Sequence, residues 1–116
     1  MDRTTIPAGG MLAPREKLWS APAEVVAEAA RLLAIRSDDV FYDIGAGDGR
    51  VLLHIASLER PPRAAIGVEI NRARAESVVQ AITSRGLEDR CAMINANALE
   101  VDYDDATAVF LYLVPR

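Results

Sequence analysis

The spacing of hydrophobic positions along this 116-residue chain changes several times, and each change marks an element. Val25, Val26, Ala29, Leu32 and Leu33 recur at helical spacing. Ser20 is placed to cap that helix, with Pro22 in the first turn, where a missing N–H costs nothing. Val40-Phe41-Tyr42-Asp43-Ile44 is almost continuously apolar and predicts a strand buried on both faces of a parallel sheet. Gly45-Ala46-Gly47-Asp48-Gly49 follows as a tight loop. A helix from Arg50 to Leu58 then carries the stripe Val51, Leu52, Ile55 and Leu58, and Pro61-Pro62 ends that stretch. Ala65 to Glu69 predicts a second strand. Asn71 can cap a third helix running to about Arg85, which Gly86 stops. Cys91 to Asn95 predicts a third strand. A polar stretch with Asp102, Asp104 and Asp105 leads to a fourth, Thr107 to Leu113.

Helix, then strand-helix-strand-helix-strand-loop-strand, is the order of an α/β fold with a parallel sheet and right-handed crossovers. Residues 1–18 show neither a strand nor a helix period and read as a flexible lead-in. Hydrophobic residues make up 51% and charged residues 26% of the chain, which fits one globular domain. The net charge of -4, with both signs interspersed, lacks the clustered basic face of a nucleic-acid binder. No apolar run approaches the roughly 18 residues of a membrane span, and Met1 to Gly10 lacks the apolar stretch of a secretory signal. The single cysteine, Cys91, cannot make an internal disulfide. A reducing intracellular compartment is therefore the default, cytoplasm first, with nucleus and mitochondrion left open.

The chemistry concentrates at the glycine loop. A glycine-rich turn between strand and helix brings backbone N–H groups up to a ligand at the helix N-terminus. The spacing Gly45-x-Gly47-x-Gly49 puts Arg50 where a dinucleotide fingerprint needs its third glycine. Asp43, two residues before Gly45, would repel a pyrophosphate. It suits S-adenosylmethionine (SAM), which carries an ammonium and a sulfonium and no phosphate. Glu69 ends the second strand, where an acid can accept hydrogen bonds from both ribose hydroxyls. No Gly-Lys-Ser/Thr sequence occurs, which excludes a P-loop. Read without a ligand, the glycines make a tight turn, Asp43 is a hydrogen-bonded buried acid and Glu69 a solvated strand end.

Asp43 to Arg50 resembles the first motif of the class I SAM-dependent methyltransferases, and Ile66 to Ile70 their second. Ile94 to Leu99 resembles the third, and Val109 to Leu113 the strand that leads to the fourth. The resemblance implies a Rossmann-like sheet in the order 3-2-1-4, and cofactor contacts at Asp43, Gly45, Gly47, Gly49, Glu69, Asn97 and Ala98, with no metal. The residue matching Asn97 is usually an aspartate that meets the adenine amino group, and asparagine keeps an acceptor oxygen. Trp19 to Val26 resembles the lead-in V-P-T-P-x-E-V-V of small methyltransferases related to mitochondrial protein-lysine methyltransferases, and more distantly to histone-lysine enzymes lacking a SET domain. Ser20 and Ala21 depart from its proline and threonine, so a threonine hydroxyl contact is lost. The implied activity is in-line methyl transfer to a protein lysine, helped by alignment and exclusion of water. Tyr112 falls nearest the expected methyl position, where it either orients the acceptor or is part of a buried strand.

The remaining reactive side chains read as structural: His54 as a helix-surface residue, Cys91 as a small buried hydrophobe, and the three acids of the last loop as solvated. Residues 19–116 correspond to the cofactor-binding, N-terminal part of a methyltransferase domain. A complete fold of that family has seven strands, so the sheet is expected to be incomplete and to expose an apolar face and edge, open to self-association or a partner. A SAM-binding or interaction module without turnover is the alternative function.

Overall fold

The computed structural model describes residues 22–111, which form three helices, four strands and a 3-10 turn. The predicted Ser20 cap, the lead-in and Tyr112 lie outside these residues. Helix α1 spans Ala23–Leu33, strand β1 Val40–Ile44, helix α2 Arg50–Ala56 and strand β2 Ala64–Glu69. Helix α3 spans Arg72–Ser84, strand β3 Cys91–Asn95 and strand β4 Ala108–Leu111, with the 3-10 turn at Ala98–Glu100. All strand pairings are parallel, and the order is β3-β2-β1-β4, as expected. Asp43 is level with Gly67 on one side and Phe110 on the other. No helix among the described residues is long and apolar enough to cross a membrane.

Local chemistry explains the element ends. Pro22 occupies the N-cap of α1 rather than its first turn, and its carbonyl accepts from the N–H groups of Val25 and Val26. Lacking an N–H, proline loses nothing at a helix start. Ala34 closes α1 in the left-handed region at φ 47. Asn71 caps α3 as expected, its side chain accepting from the Arg74 N–H at 3.0 Å. Leu32 departs from the expected stripe: it is 67% exposed, while Val26 and Ala29 face the core.

One face of the sheet carries all three helices. Phe41, Leu52, Ile55, Ala56 and Ala65 are fully buried there, with Val26 of α1 and Val78 and Ile82 of α3 around them. Each of the buried Phe, Leu, Ile and Val side chains stabilises the fold by about 1.5–3 kcal/mol relative to leaving it in water.

The opposite face corrects two expectations. The segment between β3 and β4 makes no helix longer than one turn, yet it covers the middle of that face. Tyr103 packs edge-on against Tyr42, with ring centroids 5.1 Å apart and planes at 80°. Its hydroxyl donates to the Ala98 carbonyl at 2.8 Å. Thr107 closes the segment onto β1: its hydroxyl oxygen accepts from the Val40 N–H at 2.8 Å and its proton goes to Asp39. Asp105 is likewise more than a solvated acid, because it accepts the Tyr42 hydroxyl at 2.8 Å. Tyr42 is consequently 4% exposed. Farther out, Val109 and Leu111 of β4 remain 46% and 45% exposed.

Burial and the Asp105 carboxylate push the Tyr42 hydroxyl up to about 12. A bond from a buried hydroxyl to a carboxylate contributes more than a neutral one. Tyr42→Phe is therefore expected to lower stability by about 1–2 kcal/mol, with the chain still folded. Urea unfolding of the two proteins measures it. A variant as stable as the wild type would mean that the loop is held by ring packing alone.

Candidate functional site: a cleft at the strand ends

Three glycines in five residues let the chain turn sharply after β1. Gly45, Gly47 and Gly49 take φ values of 75, 62 and 79°, in the region that side chains with a Cβ avoid. The loop is tied down rather than free. The N–H groups of Gly45 and Ala46 both donate to the Val68 carbonyl, at 2.8 and 3.0 Å, and the Gly49 N–H donates back to Ala46 at 2.9 Å. Gly49 also abuts Val78 of α3, so this glycine seats α3 against the loop.

Glu69 joins the parts of the site. It is 6% exposed at the end of β2, and its two carboxylate oxygens accept from different elements. Oε1 takes the Gly47 N–H at 2.8 Å and Oε2 the Asn71 N–H at 3.0 Å. One side chain thus clamps the glycine loop to the start of α3. Each carboxylate oxygen has a second lone pair, so both remain able to accept from a ligand.

The third strand is stitched to this corner by Asn95, whose side-chain amide donates to the carbonyls of Glu69 and Ile70 at 3.0 and 3.1 Å. Asn97 caps the 3-10 turn, its side-chain oxygen accepting from the Leu99 N–H at 2.9 Å. Between these strand ends lies a cleft of about 250 Å³, walled by Ile44, Gly45, Val68, Glu69, Ile70, Ala96, Asn97 and Ala98. Its walls are apolar apart from Glu69, Asn97 and backbone, and no basic side chain is among them.

Of the expected site residues, Gly45, Glu69, Asn97 and Ala98 line this cleft, and Gly47 is bonded to Glu69. Asp43 does not line it. It lies behind the loop, 3% exposed, with the Leu52 N–H donating to its carboxylate. Its Oδ2 has no hydrogen-bond partner among the described residues. Burial, above all, pushes this carboxyl up to about 7; the Leu52 N–H opposes the shift, while the Glu69 and Asp48 carboxylates add to it.

Sequence reasoning missed Ile70 and Asn95. Ile70 is 68% exposed on the cleft wall, and the signal for it was a large apolar residue directly after a strand-ending acid. Asn95 looked like an ordinary strand end, and nothing in its spacing signals the two bonds it makes.

Two of the residues set aside on sequence, His54 and Cys91, behave as expected. His54 is exposed on α2. Cys91 is buried, and burial pushes its thiol up to about 11, away from the reactive thiolate. No group of His, Cys, Asp and Glu among the described residues could hold a metal.

With this geometry in view, comparison with known proteins is informative. A family model described as "Putative methyltransferase" matches residues 37–114. A protein-lysine N-methyltransferase from Saccharolobus islandicus (strain REY15A) is 33% identical over 93 residues, 80% of this chain and 57% of that protein. Among solved structures, an RNA methyltransferase from Salinibacter ruber in complex with S-adenosyl-L-homocysteine aligns with a TM-score of 0.74 at 28% identity, over 84% of this chain and 62% of the other. A dimethyladenosine transferase from Plasmodium falciparum shares the fold at 15% identity, with a TM-score of 0.72 over 84% of this chain and 34% of the other. The chain thus spans about three fifths of the length of the first two.

Proposed function

Since the chain belongs to the methyltransferase family matched over residues 37–114, we propose that its cleft binds SAM and serves methyl transfer to a protein lysine. The observation that carries the cofactor reading is Glu69: a buried carboxylate with free lone pairs, held by backbone at the end of β2, in a cleft without a basic side chain. That acceptor, with no basic side chain beside it, fits a ribose diol and a cationic ligand. It does not fit a pyrophosphate, which needs positive charge and unobstructed N–H groups. The Salinibacter ruber relative, crystallised with S-adenosyl-L-homocysteine, supports the same assignment.

Bound there, SAM supplies a methyl group activated on a sulfonium. The chain's own residues do the holding. Glu69 accepts from the ribose, Ile70 and Ala98 flank the base, and Asn97 faces the base edge. Gly45 and Gly47 keep the loop backbone close, Gly49 fixes the loop against α3, and Asp43 supplies negative charge behind the loop. Tyr112, which follows Leu111 in the sequence, is the proposed orienting residue for the acceptor.

The lysine reading draws on the Saccharolobus islandicus relative and on charge. From Cys91 to Leu111 the chain has no Lys, Arg or His, and it carries Glu100, Asp102, Asp104 and Asp105. This acidic segment, which begins at the cleft residues Ala96, Asn97 and Ala98, attracts a cationic peptide and repels a phosphate backbone.

Calorimetric titration tests the cofactor. SAM is expected to bind and NADH not, and a folded chain that takes NADH instead would overturn the reading. For the acceptor, labelled SAM is supplied with mixed histones or with total RNA. Label on histone lysine supports the proposal; label on RNA alone would assign the other substrate class.

A further inference from the structure

One wall of the cleft is the short segment Ala96-Asn97-Ala98, which leaves β3 and enters the 3-10 turn. Bonds within the turn give it its shape. The Asn97 side chain accepts from the Leu99 N–H at 2.9 Å, and the Asn97 carbonyl accepts from the Glu100 N–H, also at 2.9 Å. These local bonds do not set where the segment lies against the sheet. At its start the Ala96 N–H donates to the Glu69 carbonyl at 3.2 Å. At its end the Ala98 carbonyl accepts from the Val101 N–H at a long 3.5 Å and from the Tyr103 hydroxyl at 2.8 Å. The better of these two bonds comes from outside the turn. Tyr103 itself is not among the residues that wall the cleft.

Tyr103 is held from behind. Its ring packs edge-on against Tyr42, within the apolar cluster on the second face of the sheet. Val68 and Ala98 belong to that cluster and also line the cleft. The cluster is thus the backing of the wall, and Tyr103 is the member that grips it through a hydrogen bond. Burial raises the Tyr103 hydroxyl above its ordinary value, which keeps its proton available for donation.

We propose that Tyr103 is a positioning residue of the cleft: from outside it, the hydroxyl holds the Ala98 carbonyl and so fixes the wall on which the base of a bound nucleoside rests. The proposal rests on the SAM reading above, in which Ala98 flanks the base. A wall already in place costs less to order when the ligand arrives. Without the hydroxyl, the Ala98 carbonyl is left with its long bond to Val101. The ligand then has to order the segment itself. That cost falls on any ligand that seats a base there, whether or not it carries a methyl group or a positive charge.

Calorimetric titration of the full chain carrying Tyr103→Phe tests this, since the ring is kept and one hydrogen bond is lost. SAM, S-adenosylhomocysteine and adenosine are each expected to bind about threefold to tenfold more weakly, the equivalent of one net hydrogen bond. Tyr42→Phe is the control. It sits in the same cluster but loses a bond to Asp105 instead, so it should lose stability and keep wild-type affinity. Unchanged affinity in Tyr103→Phe, or an equal loss in Tyr42→Phe, overturns the proposal and leaves the cofactor reading intact. So does a loss for SAM with adenosine unaffected, which would put the effect away from the base. Absence of SAM binding by the wild type overturns both. Should Tyr103→Phe not fold, the wild type carries the test. The bond and the ligand must stabilise each other reciprocally, so bound SAM should slow solvent exchange of the Tyr103 hydroxyl proton, followed by NMR, by a similar factor. Exchange equally fast with and without SAM overturns the proposal.

Discussion

Glu69→Ala is expected to weaken SAM binding by about a hundredfold to a thousandfold, and to destabilise the empty protein by roughly 2–4 kcal/mol. Two separate losses produce this. The first is structural: the N–H groups of Gly47 and Asn71 lose their acceptor together, at 2.8 and 3.0 Å, in a corner where Glu69 itself is 6% exposed. A buried donor left unsatisfied costs about 1–3 kcal/mol, less where water can enter the space vacated by the side chain. The second is functional: a ligand diol would lose both of its acceptors, and hydrogen bonds to a charged group are worth more than neutral ones. Thermal unfolding and calorimetry report the two losses separately. Glu69→Gln refines the test, since it keeps one acceptor oxygen but points an amide N–H at one of the two backbone donors. It should retain more binding than alanine and still lose stability. If Glu69→Ala bound SAM like the wild type, the ligand would have to lie elsewhere. Removing Glu69 also removes a charge that raises Asp43, so the Asp43 carboxyl should titrate at lower pH in the same variant. The two sites are coupled, and their effects should not add.

How much of this was legible in the sequence depends on the range of the interactions involved. The strands β1 and β3 were readable to the residue, because an unbroken apolar run between polar neighbours has few alternatives in an α/β pattern. The alternate glycines announced the positive φ values, since only glycine takes three of them in five residues without strain. Glu69 was readable as a strand-ending acid, but not as a clamp, because its two partners lie at Gly47 and Asn71 on different elements. The cover on the second face was misjudged for a similar reason. An acidic segment without helical period looked too polar to cover a sheet, yet its Val101, Tyr103 and Ala106 pack on the Val40 and Tyr42 cluster and Thr107 bonds Val40. Leu32 fell on the helical stripe by spacing alone, and its exposure depends on where α1 sits against β4, which spacing does not encode. For Asn97 the sequence showed an acceptor oxygen, and the fold uses that oxygen to accept from the Leu99 N–H.

Gly49 offers the sharpest test of how the loop is built. A Cβ there would sit 2.8 and 2.9 Å from the two Cγ atoms of Val78, closer than real side chains approach, and the residue holds φ at +79°. Val78 cannot step aside: it is 1% exposed, β-branched and inside α3, where one rotamer is strongly preferred. Gly49→Ala therefore combines a backbone penalty of roughly 1–2 kcal/mol with overpacking of about 1–3 kcal/mol. A total loss of about 2–5 kcal/mol is expected by denaturant unfolding. Gly45 supplies the control within the same loop. Its φ is +75°, nearly the same, but nothing lies within 4 Å of an added Cβ. Gly45→Ala should thus show the backbone penalty without the steric one. Trimming the obstacle isolates the other part: in a Val78→Ala background, Gly49→Ala should cost about as little as Gly45→Ala, because the methyl groups it strikes are gone. If Gly49→Ala and Gly45→Ala cost the same in the wild-type background, α3 does not press on the loop. The loop would then be held by Glu69 and by backbone bonds to Val68 and Ala46, and the affinity of the cleft would depend on Glu69 still more heavily.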